Sequence, residues 1–126
     1  MRIVYDYPPF KRALKAMWPR FEGRCVCAVD ERGILGGCGF LSPVERGRTS
    51  AFILGLRPAW ASREIYAAIM RLPQAMGAET IFASCGDNLR SQSVCRQMRG
   101  EDVGGGNFEF TSEGLLKRAK EIEDAK

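Results

Sequence analysis

The residues best placed to do chemistry lie between Thr49 and Met70. There an apolar run, Ser50-Ala51-Phe52-Ile53-Leu54-Gly55-Leu56, meets Arg57-Pro58-Ala59-Trp60 and opens into Ser62-Arg63-Glu64-Ile65-Tyr66-Ala67-Ala68-Ile69-Met70. This reads as strand, tight turn and helix. The first turn of such a helix aims unpaired backbone N–H groups, at its positive dipole end, into the space beyond the strand, where an anion such as a phosphate can sit. The plainer reading is an ordinary strand-to-helix connection. The chain contains no histidine, which excludes Ser-His-Asp and Cys-His mechanisms and leaves Glu, Asp, Cys, Tyr or bound water to move protons.

The five cysteines, Cys25, Cys27, Cys38, Cys85 and Cys95, lie mostly inside apolar runs, with no CxxC pair and no histidine nearby. Metal ligation is therefore not expected, and buried free thiols in a reducing compartment are. The net charge of +4 comes from basic residues spread among Lys11, Arg12, Lys15, Arg20, Arg46, Arg48, Arg90, Arg96 and Arg99. That spread suits anionic ligands in general. A nucleic-acid partner calls for a denser basic stripe or interleaved aromatics, and neither is present.

A chain of 126 residues, 45% hydrophobic and 27% charged, reads as one globular domain, residues 1–126, with a single core. Its apolar runs are too short to span a bilayer, and Met1 to Asp6 lacks the apolar core of a signal peptide. A soluble cytoplasmic protein with no membrane partner is expected.

Spacing and turn residues then give the elements. A short strand covers Arg2 to Tyr5, and Pro8-Pro9 precedes a helix from Phe10 to Trp18 that Pro19 stops. Arg24 to Asp30 and Ile34 to Phe40 form a hairpin about Glu31-Arg32-Gly33. The helix from Ser62 ends at Gly77, with Pro73 expected to kink or shorten it. Glu79 to Cys85 is a buried strand, and Asn88 caps a helix over Leu89 to Met98. Gly104-Gly105-Gly106 is a flexible loop before a strand at Asn107 to Thr111, and Ser112 caps a polar last helix.

This order resembles the GCN5-related N-acetyltransferase (GNAT) family from about Arg24 to Phe110. Leu56-Arg57-Pro58-Ala59-Trp60 matches the Val-x-Pro-like step that ends a strand in that family, and Ile65-Tyr66-Ala67-Ala68-Ile69-Met70 matches the helix start. Asn88-Leu89-Arg90-Ser91-Gln92-Ser93-Val94-Cys95 matches the later Asn-x-x-Ala-x-x-Leu-Tyr-like motif at the same spacing after a strand. The family's intervening Gly-rich loop is degenerate. Ala61 stands for Arg or Gln, Ser62 and Glu64 stand where glycines are frequent, and Tyr66 takes the place of the last small residue. Glu64 and Tyr66 either point outward or obstruct a diphosphate there, while Ser62 and Arg63 offer a hydroxyl and a charge.

The resemblance implies an α/β (α+β) fold with a mixed, mainly antiparallel central sheet and helices on both faces. It also implies an acyl-CoA cofactor, acetyl-CoA above all, and an amine acceptor on a small molecule or a protein. The pantetheine arm would pair with backbone near Leu54 and Leu56, the amides of Arg63, Glu64, Ile65 and Tyr66 would meet the diphosphate beside the Ser62 hydroxyl, and Asn88 would line the same site. Cys95 stands where the family has a Tyr that protonates the leaving thiolate, so it is either that acid or a packing substitution. A general base would come from Glu45, Asp87, Glu101, Asp102 or Glu109. The rival reading keeps the fold without the chemistry, as a module docking on a host or other partner protein; the short chain resembles family members encoded by bacteriophages and mobile elements.

Overall fold

The computed structural model describes residues 1–58 and 60–125, so Ala59 of the Leu56-to-Trp60 step lies outside the described residues. The elements run β1 (Arg2–Tyr5), α1 (Pro8–Met17), β2 (Gly23–Asp30), β3 (Gly33–Leu41), β4 (Arg48–Gly55), α2 (Arg63–Ala75), β5 (Thr80–Ser84), α3 (Leu89–Gln97), β6 (Glu101–Gly104), β7 (Asn107–Thr111) and α4 (Ser112–Asp124). The strands form one sheet in the order β1-β2-β3-β4-β5-β7-β6. Its only parallel contact among the described residues is β4 with β5; every other neighbour is antiparallel.

Alternation along the strands sends one set of side chains to each face. Ile81 and Ala83 of β5, and Phe108 and Phe110 of β7, join Ile65, Ile69 and Met70 of α2, Leu115 and Ala119 of α4, Val94 of α3 and Met98 at its C-cap in one core. On the other face α1 lays Phe10 and Leu14 over Cys25, Cys27 and Val29 of β2. Helices thus lie on both faces, as the resemblance implies. Because α1 covers only the β2–β3 side, Ser50, Phe82 and Glu109 form a row on an uncovered part of the sheet, paired across β4, β5 and β7.

Local chemistry sets the ends of α2. Ser62 Oγ accepts from Ile65 N, and at the far end Gly77 N donates to Gln74 O and Ala78 N to Pro73 O, the two bonds of a Schellman cap. The helix runs two residues past Pro73 before ending.

One expectation is corrected at the C-terminal end. Gly104-Gly105-Gly106, expected as a flexible loop before one strand, instead joins two, β6 pairing antiparallel with β7. Gly104, Gly105 and Gly106 are a tight turn with φ of 93°, 64° and 77°, a left-handed run open to glycine. All four residues of β6 are exposed, so the strand carries no apolar alternation to reveal it.

Among the described residues no helix is long and apolar enough to cross a membrane.

Candidate functional site

The site begins where two strands part. β4 and β5 pair from Arg48↔Thr80 to Ala51↔Ala83. Beyond that, β5 ends at Ser84 while β4 runs on to Gly55. Which backbone groups of β4 face the parting follows from its ladder with β3. Leu56 N donates to Leu35 O at 2.9 Å. Bonded and unbonded pairs alternate in an antiparallel ladder, so Gly37↔Leu54 is also a bonded pair, and Gly36↔Gly55 and Cys38↔Ile53 are unbonded ones. The N–H and C=O groups of Ile53 and Gly55 therefore point away from β3 into the gap, and among the described residues no strand pairs with them. The expectation placed the exposed edge at Leu54 and Leu56. Their amides serve β3, and the parity moves the edge by one residue.

The gap opens into a groove of about 430 Å³. Phe52 to Pro58 form one wall, and Asn88, Arg90, Ser91 and Val94 at the start of α3 form the other. Asn88 Oδ1 accepts from Ser91 N at 3.1 Å, so the α3 cap is itself part of the wall. A smaller hollow of about 70 Å³ sits in the parting, between Ala51–Ile53 and Ala83–Cys85.

Trp60 and Ala61 line the end of the groove nearest α2. A Cβ on Gly55 would stand 2.3 Å from the Trp60 Nε1, and one on Gly36 would stand 2.8 Å from its Cδ2. Only glycines on both strands let the indole lie flat on the sheet, where it meets Tyr66 edge-on at 6.2 Å between centroids. The Arg57 guanidinium braces the same turn by bonding Asp30 and Gly33 O, and it holds the Asp30 carboxyl below the usual carboxylate range.

The first turn of α2 opens elsewhere. Ser62, Arg63 and Glu64 line a separate hollow together with Ile3 and Tyr5 of β1 and Glu123 of α4. Ser62 Oγ is committed to Ile65 N, and the Arg63 guanidinium bonds Ala125 O beyond α4. Glu64 is exposed in that turn, its carboxyl held below its ordinary value by its own backbone N–H and the Ser62 hydroxyl. Ile65 and Tyr66 point into the core. Tyr66 is therefore inside the protein and obstructs nothing at the surface.

By sequence the chain matches no family profile and no curated protein. By structure it is similar to a ribosomal-protein-alanine N-acetyltransferase from Brucella melitensis, at 13% identity and a TM-score of 0.63, covering 88% of this chain and 99% of that one. It is also similar to an acetyltransferase of the GNAT family from Staphylococcus aureus Mu50, at 8% identity and a TM-score of 0.62, over 88% and 98% of the two chains. An acetyltransferase from Bacillus subtilis in complex with CoA aligns at 12% identity and a TM-score of 0.56, over 87% and 97%. The chain has the GNAT fold.

Within that GNAT fold, the structure gathers Leu54, Leu56 and Asn88 at one groove and sets Ser62, Arg63 and Glu64 at another. Cys95 is fully buried, its Sγ 3.6 Å from that of Cys85, and burial pushes its thiol well above the usual range. Cys85 is the member of the pair that lines the parting. Glu45 and Glu109 border a broad depression on the uncovered sheet face with Phe82, Arg46 and Arg48. Asp102 bonds Gly104 N. Among the described residues no cluster of His, Cys, Asp and Glu could hold a metal ion.

Sequence reasoning missed Trp60, Arg90, Ser91 and the Ile53–Gly55 edge. The edge depends on pairing with β3, and Trp60 on two glycines 19 residues apart that only the register Gly36↔Gly55 brings together. Ser91 had a local signal, the cap at Asn88 three residues before it.

Proposed function

We propose that this chain is an N-acyltransferase that takes an acyl group from acyl-CoA, acetyl-CoA in the first instance, and passes it to an amine of a small molecule or a protein. One observation carries the reading: β4 and β5 part after Ala51↔Ala83 and leave the outward backbone groups of Ile53 and Gly55 beside a groove of about 430 Å³. Pantetheine carries two amides, and an unpaired strand edge bonds such an arm as it would an added strand. The donor set fits that part of the cofactor. The solved Bacillus subtilis neighbour, which has the same fold, holds CoA.

The acceptor reaches the thioester from the uncovered sheet face, across Ser50, Phe82 and Glu109. A neutral amine needs alignment, polarisation of the carbonyl and removal of one proton, which a site without histidine can provide. Glu109, Glu45 and Glu22 are the carboxylates beside that approach, and the first two are among the expected bases. Cys95 has no surface from which to protonate a thiolate, so its role is packing.

Thermal unfolding with and without acetyl-CoA tests the reading. Ligand at a hundred times its dissociation constant adds about 2.7 kcal/mol, which raises the midpoint by several degrees in a domain of this size. No shift at millimolar acetyl-CoA contradicts it. A second reading, a docking module that kept the fold and lost the chemistry, is favoured by the engaged state of Ser62, Arg63 and Glu64.

A further inference from the structure

Resting on the acyl-donor reading, we infer that this site recognises its donor as an acylated phosphopantetheine arm, without a cradle for a nucleotide diphosphate. The residues that would form such a cradle do not border the groove. Ser62, Arg63 and Glu64 face the hollow between β1 and the end of α4, and of the loop before α2 only Trp60 and Ala61 line the groove. The turn is also chemically closed to a dianion. Ile65 N is satisfied by Ser62 Oγ, Arg63 Nη1 is drawn away to Ala125 O, and an exposed carboxylate, Glu64, stands in the same turn, where it repels negative charge.

What the groove does hold is one cation suited to one phosphate. Arg57 gives its Nη2 to Asp30 and Gly33 O, and its Nε, though unpartnered, is buried away from the groove's surface. Arg90, exposed in the first turn of α3, makes no ion pair or side-chain hydrogen bond among the described residues. An arm lying along Ile53 and Gly55 brings its terminal phosphate toward that wall. The reaction is unchanged in balance: the amine nitrogen bonds the carbonyl carbon, the C–S bond breaks, the thiol leaves on the arm, and the amine's proton ends on sulfur.

CoA and carrier proteins both present this arm. Calorimetric titration of the full chain with CoA, 4′-phosphopantetheine and pantetheine tests the inference. Phosphopantetheine should bind within about threefold of CoA, and pantetheine about tenfold more weakly, the scale of one charge-assisted phosphate contact. Arg90→Ala should abolish that tenfold step for both phosphorylated ligands and leave pantetheine unchanged. Glu64→Gln should change none of the three. CoA binding more than about thirtyfold tighter than phosphopantetheine, or tightening of CoA by about tenfold in Glu64→Gln, overturns the inference and leaves the acyl-donor reading standing. If none of the three binds, both fail. Holo carrier protein separates the two sources: it binds at least as tightly as the free arm if the donor is protein-borne, and more weakly than CoA if the donor is the nucleotide form.

Discussion

Three strands of the chain run into a capped helix, and the two that follow β4 and β5 open on different hollows. After β4, Ser62 caps α2, and that first turn looks toward β1 and the end of α4. After β5, Asn88 caps α3, and that first turn forms a wall of the groove with Arg90 and Ser91. Both caps satisfy the same kind of orphaned amide. The difference lies in surroundings: the first helix start opens beside β1 at the far edge of the sheet, beyond Trp60, while Asn88 and Ser91 of the second line the parting itself. Capacity to bind an anion is a local property of a helix start, but use of it is decided by the tertiary neighbours.

The sharpest way to break this contrast is to dislodge the residue that lies between the two regions. Gly55→Val forces a side chain into the Trp60 indole and should cost about 1–3 kcal/mol in a chemical melt, the usual penalty of overpacking, with loss of donor binding. Retained donor binding at full affinity would show that the indole does not border the site.

The two caps give a matched pair. Ser62→Ala and Asn88→Ala should each lower stability by about 1 kcal/mol, but only Asn88→Ala should also weaken donor affinity. Equal effects on affinity would erase the distinction between the two starts.

The acid limb of the stability profile reports on Glu64. Its folded-state pKa lies below the ordinary value of 4.5, so its contribution is complete above that pH and fades as pH falls through the lower folded value. Glu64→Gln should flatten that limb, and an unchanged profile would mean the carboxyl is not engaged at the helix start.

The mildest effect concerns the thiols. Cys85 lines the parting and Cys95 is fully buried behind it. Brief treatment with iodoacetamide, read by peptide mass, should modify Cys85 before Cys95, and prior ligand should slow that modification. Earlier labelling of Cys95 would contradict its burial.

Much of the fold was legible because its signals are local. The cap at Ser62, Gly77 after the last turn of α2, and the alternation of Phe108 and Phe110 each act within a few residues. β6 escaped because an edge strand exposed along its whole length has no buried side to print on the sequence. The site was legible in outline, as Leu54, Leu56 and Asn88 do line one groove. Its working edge was not, because the alternation that frees Ile53 and Gly55 is set by Leu35 on another strand. Nor could the sequence show that Arg63 is drawn to Ala125, 62 residues away.

Amide hydrogen exchange resolved by residue, with and without acetyl-CoA, tests the central claim most directly. The account predicts new protection at Ile53 and Gly55, with none at Arg63 and Glu64. Protection confined to Arg63 and Glu64, with Ile53 and Gly55 unchanged, would contradict it.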